Sequence, residues 1–369
     1  MSRVHLGDVA IEHKETCKED KSMYPIVGLE HLAPEQITLQ NWELNTENTF
    51  TKVFRKGNIL FGRRRAYLKK AAVAPFDGIC SGDITVIEAK EDKIIPELLP
   101  FVIQNDDLFD FAVGKSAGSL SPRVKWTHLQ NYEFELPTKE KQRELAKVLW
   151  AIEDTRKSYQ ELIKRTDELV KSQFIELFYG KGYPVKTIGD VIDKNIIRVG
   201  KVFEKTDSIQ YLDISSIDNT SKTVIGLTQY ALADAPSRAQ YVLKQNDIMY
   251  STVRPNLQNF AINPYSDENV VGSTGFCVLR CIGVTTGYMW GVINSIPFTE
   301  AMVNQASGAN YPAVTDKVVH AYEIPIPPEN EQNAYDELVR QSDKSKFELN
   351  RALDELTATY KQIIKDNLG

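Results

Sequence analysis

The sequence predicts an α+β protein: two mixed α/β globular domains in tandem, each followed by a long helix, with the two helices closing on each other as a coiled coil. Three observations carry this prediction. The chain is written twice, each copy ends in a long run free of Pro and Gly, and the two runs share one phase of apolar residues spaced by four and three.

The duplication is read directly. VGKSAGSLSPRVKWTHLQNYEFELP (113–137) lies over VNQASGANYPAVTDKVVHAYEIPIP (303–327) without a gap, pairing Gly118 with Gly308, Pro122 with Pro312, Val124 with Val314, Tyr132 with Tyr322 and Pro137 with Pro327, always 190 positions apart (308 minus 118). Such self-similarity decides the architecture before any local propensity does. Upstream, GNILFGRRRAYLKKAAVA (57–74) resembles NDIMYSTVRPNLQNFAI (246–262), which puts Arg65 over Arg254 and Tyr67 over Asn256. ICSGDITVI (79–87) resembles GSTGFCVL (272–279), and the copies open alike, on LGDV (6–9) and IGDV (188–191).

Within each copy, short β-like runs (NILF, ITVIEA, DIMYST, FCVLRCI) alternate with loops rich in Gly, Asn, Ser and Pro, the pattern of a mixed body. The helical run of the first copy extends from Lys139 to Tyr179 and is stopped by Gly180 and Gly182, and that of the second extends from Glu329 to Leu368. In the first, positions 145, 149, 152, 156, 159, 163, 166, 170, 173 and 177 form a mostly apolar seam; adding 190 gives 335, 339, 342, 346, 349, 353, 356, 360, 363 and 367 in the second. Arg156 and Lys346 fall at matched seam positions, where a cation must snorkel outward or meet an acid. Roughly 40 residues at about 1.5 Å each make a rod about 60 Å long, a stiff spacer if the two pack together. The expected boundaries are 1–137 and 181–327 for the globular domains, and 138–180 and 328–369 for the helices.

Composition limits the function. At 369 residues, about two domains are expected, and 42% hydrophobic with 25% charged residues is ordinary for a water-soluble protein. No apolar run approaches a membrane span, and the start, MSRVHLGDVAIEH, lacks the basic-then-apolar order of a secretion signal, so the expected location is the cytoplasm with no membrane partner. Cys17, Cys80, Cys277 and Cys281 are too scattered for a disulfide framework; Cys277 and Cys281 lie in an apolar run and are expected as buried thiols.

The net charge of -6 argues against indiscriminate adhesion to nucleic acid, yet from Lys52 to Phe76 there are eight Lys or Arg residues and no Asp or Glu. One positive stretch on an acidic protein favours a defined footprint on DNA. Arg63, Arg64, Arg65, Lys69 and Lys70, beside Tyr67, are candidates to neutralise phosphates, and an Arg also pairs bidentately with guanine. At the matched place the second copy exchanges charge for Asn256, Gln258 and Asn259, next to Arg254, side chains suited to adenine edges. The loops GKSAGSLSPR (114–123) and NQASGANYP (304–312) carry small residues that let backbone approach a groove, with Lys115, Ser116, Arg123, Gln305, Asn310 and Tyr311 as candidate readers. One frame with two sets of reading side chains would recognise two different short sequences. The alternatives are a solvated surface hairpin for the first stretch and ordinary turns for the loops.

Signals for catalysis are weak. Asp83, Glu88 and Lys90 in GDITVIEAK have the residue types of a metal-dependent nuclease, but on a strand Asp83 faces away from the other two and the second copy has neither acid nor lysine there. INPYSD (262–267) lacks the second Pro of the amino-methyltransferase loop, and no phosphate-binding glycine loop, nucleophile elbow or zinc helix is present. The expected catalytic and metal residues are therefore none.

The duplicated order of body, helix, body, helix resembles the specificity (S) subunit of type I restriction-modification systems over nearly the whole chain. The pieces that carry the resemblance are ILFGRRRAYLKKAAVAPFDGICSGDITVI, GSTGFCVLR and the two helix starts ELPTKEKQ and IPIPPENEQ, each with a Gln (Gln142, Gln332). The resemblance implies that the two bodies are target recognition domains, each reading half of a bipartite double-stranded DNA site, and that the helices form an antiparallel coiled-coil spacer fixing the gap. It implies a subunit without catalysis or cofactor of its own, working with two modification (methyltransferase) subunits that use S-adenosylmethionine to methylate adenine, and with restriction (motor-nuclease) subunits that use ATP and magnesium. Another methyltransferase or defence assembly, a nuclease, and a scaffold without DNA affinity are the competing readings.

Overall fold

The computed structural model describes every residue except 1, 19, 20, 22, 45 and 46. The chain divides into two compact units, one made of residues 1–161 and 349–369, the other of 162–348, so the division runs through both long helices.

In the first unit, the strand Ser2–His5 pairs antiparallel with Glu133–Leu136, the strand that hands the chain to the first long helix. Between them lie a four-stranded antiparallel sheet in the order Ala10–Glu12, Ile84–Ala89, Ile59–Gly62, Ala71–Val73, and a three-stranded sheet of Ile26–Val27, Gly78–Cys80 and Lys52–Phe54. Helices Leu99–Ile103 and Asp106–Gly114 cover the core, in which Phe61 stacks on Phe109 at 5.5 Å. The second unit repeats the plan. Val185–Thr187 pairs with Glu323–Pro325 ahead of the second long helix, Ile248–Ser251 sits between Phe260–Ile262 and Phe276–Leu279, and helices Thr286–Asn294 and Ile296–Gln305 follow.

The matched openings have one structural reason. Asp8 and Asp190 accept the backbone N–H groups of His5 and Thr187, capping the first turn of each unit. The glycine beside each is there for space: a Cβ on Gly7 would meet Gln130 at 3.1 Å, and one on Gly189 would meet His320, 190 residues after Gln130, at 3.2 Å.

The long helices span Lys139–Phe178 and Glu329–Leu368. Gln142 and Gln332 are buried at their starts. Each side chain accepts from a backbone N–H of its body (Ile95 and Thr285, both 2.9 Å) and donates to the proline carbonyl that precedes the helix (Pro137 at 2.8 Å, Pro327 at 2.9 Å). Inside the first unit, the start of the first helix and the end of the second share one core, Leu145, Leu149 and Ile152 with Tyr360, Ile364 and Leu368. Inside the second unit, Phe174 and Phe178 of the first helix pack their rings on Tyr335 of the second, at 5.2 and 5.6 Å. At the two seam cations, Arg156 pairs with Glu153 and lies 5.8 Å over the Tyr360 ring, while Lys346 pairs with Asp167 at 2.7 Å and Asp343 at 2.9 Å.

The expected seam fails at the helix ends. Gln173 and Leu177, and likewise Ile363 and Asn367, are not buried; the buried residues step by four instead, Val170, Phe174, Phe178 and Tyr360, Ile364, Leu368. A straight helix drifts about 20° per heptad against a 3.5-residue repeat, so without supercoiling its buried stripe slides onto the four-step row. Both copies slide at the same place, where the helix end packs into the core of the other copy's body: Val170, Phe174 and Phe178 beside Tyr288 and Met289, and Tyr360, Ile364 and Leu368 beside Phe101 and Ile103. Cys277 is buried as expected, but Cys281 is only half-buried, at the edge of the second core; Cys80 is buried too.

Candidate nucleic-acid interface

The basic stretch begins as a strand. Ile59–Phe61 alternates into two cores, and Gly62 closes the hairpin through its N–H to Lys70 O at 2.8 Å; Ser251 closes the second on Asn259 O at 2.9 Å. The chain then makes the same unusual turn in both units: a residue in the left-handed region, a short 3-10 turn, and a second left-handed residue. These are Arg65 (φ 54°) and Lys69 (φ 49°) around Ala66–Leu68, and Arg254 (φ 51°) and Gln258 (φ 50°) around Pro255–Leu257. Four non-glycine residues in this region are held there by the surroundings.

Those surroundings are the glycine-containing loops. Ala117 and Arg123 exchange two backbone hydrogen bonds (3.0 and 2.9 Å), as do Ser307 and Ala313 (3.0 and 2.9 Å), making small hairpins turned by Gly118 and Gly308 at φ 116° and 110°. Each hairpin is stapled to the left-handed turn beside it: Arg65 N–H donates to Pro122 O and Val124 N–H to Arg63 O, and in the second unit Arg254 N–H donates to Pro312 O and Val314 N–H to Thr252 O, all at 2.7–3.0 Å. Two stretches far apart in sequence thus form one braced platform in each unit.

The side chains on the platforms differ. In the first unit, Asp83 receives Arg123 Nε at 2.6 Å and its second guanidinium nitrogen at 3.1 Å, and lies 3.7 Å from Arg64. The Arg123 hydrogen bonds hold the Asp83 carboxyl below the usual carboxylate range against a smaller opposing effect of burial. Arg64 also donates to Ser121 Oγ. Arg65, Tyr67, Lys115 and Arg123 are exposed, and the Lys115 ammonium lies 5.7 Å from the Phe111 ring. In the second unit, the Arg254 guanidinium stacks on Tyr311 at 4.7 Å and donates to Asn310 O at 3.2 Å, with Asn256 and Gln305 also exposed.

Several candidates are turned to structural work. Lys69 pairs with Asp106, which raises its pKa, and Asp106 in turn pairs with Lys361 at 3.3 Å. Lys70 donates to Leu29 O at 2.8 Å, Ser116 donates to Ala112 O at 2.8 Å, and Gln258 donates to Thr299 Oγ1 at 2.7 Å. Arg63 is half-buried, its Nε enclosed without a hydrogen-bond partner, and Asn259 is half-buried beside Phe260. The nuclease-like acids do not converge: Asp83 serves the arginines, Glu88 binds His13 at 2.7 Å, and Lys90 donates to Gly7 O at 2.6 Å. Among the described residues, no group of three or more His, Cys, Asp or Glu side chains is placed to hold a metal ion, and no helix is long and apolar enough to cross a membrane.

Residues 3–165 and 180–357 each match the sequence profile of the type I restriction modification DNA specificity domain. The chain belongs to that family. Over 163 residues it is 26% identical to the type I restriction enzyme EcoDI specificity subunit of Escherichia coli; the match spans 41% of this chain but only 36% of that relative. A solved structure described as the structural basis underlying complex assembly and conformational transition of the type I R-M system has a TM-score of 0.58 at 19% identity, covering 99% of this chain and 97% of the other. The type I restriction-modification system S subunit from M. genitalium gives 0.57 at 12% identity, covering 100% and 96%. At these identities the likeness is one of fold.

Proposed function

We propose that this chain is the DNA-reading specificity subunit of a type I restriction-modification complex, recognising a bipartite double-stranded site and directing adenine methylation and restriction by partner subunits. One observation carries the reading: two units build the same braced platform from turn and hairpin, yet display different side chains on it. Arg64, Arg65, Tyr67, Lys115 and Arg123 in the first platform, and Arg254, Asn256, Gln305, Asn310 and Tyr311 in the second, are the assigned DNA-contacting residues, with Arg63, Lys69, Lys70, Ser116, Gln258 and Asn259 supporting them from behind. Positive charge would position the phosphates, and the polar side chains would read base edges.

The two long helices pair antiparallel as a coiled-coil spacer and set the gap between half-sites. This is supported by the packing inside each unit, where the start of one helix meets the end of the other. Target recognition domains at 1–137 and 181–327, with helices at 138–180 and 328–369, follow from that arrangement. The partners are two modification subunits, which bring S-adenosylmethionine, and restriction subunits, which bring ATP and magnesium; the subunit itself is non-catalytic and acts in the cytoplasm. Single-molecule methylome sequencing of a host with and without this gene tests the reading. A split adenine-methylation motif that disappears with the gene is the expected result, and an unchanged methylome refutes it.

A further inference from the structure

The polar residues do not exhaust the platforms. Leu68 and Leu257 occupy the same place in the two reading turns, and both are exposed, by 38% and 41%. The turn does not need an apolar side chain there, because it closes through the backbone, Leu68 N–H to Arg65 O and Leu257 N–H to Arg254 O, each at 2.9 Å. The hairpins each add a second apolar group: Leu120, 91% exposed between Gly118 and Pro122, and Tyr311, 69% exposed. Single exposed leucines are ordinary. A leucine kept, with the arginine three residues before it, in two turns whose other side chains differ, each accompanied by a second apolar group on a braced tip, is a pattern.

Their surroundings say what covers them. Exposed Arg65 accepts the Leu68 N–H on its backbone carbonyl, exposed Arg123 ends the hairpin that carries Leu120, exposed Lys115 lies just before that hairpin, and Arg254 covers one face of Tyr311 while the ring remains largely exposed. Cations around an apolar point select a polyanion that has apolar surface inside it, which is a nucleic acid with its stacked bases. The tips are stiff enough for the task, since each hairpin is held by the staples described above.

We infer that each body carries an apolar wedge, Leu68 with Leu120 in the first and Leu257 with Tyr311 in the second, that presses into a base step and unstacks it. This inference rests on the DNA-reading function proposed above and adds a deformation to it. Each half-site would then contain one position where a flexible pyrimidine–purine step is preferred although no polar group reads it.

The test uses the full chain with its modification subunits, without S-adenosylmethionine, on duplexes carrying the motif found by methylome sequencing. 2-Aminopurine is placed singly through each half-site, away from the methylated adenine. Binding is expected to raise its fluorescence several-fold at one step in each half. Leu68→Ser with Leu120→Ser should abolish the rise in one half only, and Leu257→Ser with Tyr311→Ser in the other only. Each pair should weaken binding about tenfold, with an unchanged salt slope because no charge is removed. These are surface positions, so the melting temperature should stay within about a degree or two of the parent. Bound wild-type protein with flat fluorescence in both halves, or variants that keep the rise, would overturn the wedge and leave DNA reading standing. Failure of the wild type to bind the motif would overturn both.

Discussion

Asp83 sits under the most positive platform, and removing its charge is predicted to tighten DNA binding. Arg64, Arg123 and Asp83 form one cluster of two cations and one anion, a net charge of +1 (2 minus 1). Asp83→Asn keeps the shape and raises the cluster to +2. One additional effective charge at the phosphates steepens the dependence of log K on log salt by about 0.9. Relative to 1 M salt, binding to non-specific duplex should therefore gain about eightfold at 0.1 M, and the gain should vanish as salt rises. Discrimination should move the other way, because the carboxylate that orients Arg123 through two hydrogen bonds is lost. Fluorescence anisotropy on specific and random duplexes at four or five salt concentrations measures both quantities. Equal or weaker binding of Asp83→Asn to random duplex at every salt concentration would refute the argument, since it would mean the two arginines do not face the phosphates.

Four further outcomes are expected. Arg64→Ala with Arg65→Ala should weaken binding and flatten its salt slope by about one to two units in the same titration, most of it from Arg65, which is exposed, whereas Arg64 lies 3.7 Å from Asp83. Inserting one heptad into both long helices should change the preferred gap and leave the half-site sequences alone, as read by methylome sequencing; an unchanged gap would remove the spacer. Gln142→Leu leaves the Ile95 N–H and the Pro137 carbonyl without their partner, at about 1–3 kcal/mol each, so the first unit should lose roughly 2–6 kcal/mol and the Ile95 amide should exchange faster. In pH titration, Asp83 has a folded pKa below its ordinary value of 3.8, so its contribution to stability is fully present above that value and is lost as the pH falls through the lower folded pKa. Asp83→Asn should accordingly lessen acid sensitivity below about pH 4, followed by thermal melts from pH 2 to 6.

The repeat, the helix limits to within two residues and the loops that flank the platforms were legible because each is a local pattern or a comparison of the chain with itself. Which cations face outward was not. Lys69 turns toward Asp106, 37 positions away, and Arg123 toward Asp83, 40 positions away, and both pairings depend on the tertiary path. The slide of the buried stripe at Phe174 and Ile364 was hidden because a heptad count assumes a supercoil that the helix ends, each packed into the other copy's body, do not follow. The exposed leucines escaped notice for the opposite reason: in a sequence an apolar residue between polar ones reads as core, and only coordinates reveal one standing in solvent. Gln142 and Gln332 were visible as a matched pair, but their work, satisfying one donor and one acceptor at each helix start, needed the structure.

Ser2–His5 lies beside Glu133–Leu136, and Val185–Thr187 beside Glu323–Pro325. Neighbouring strands run about 5 Å apart, so the polypeptide leaves each body almost where it came in. Everything between is a closed excursion whose length and content can drift without moving the doorway. A gene built this way can acquire a new vocabulary one word at a time, keeping its grammar.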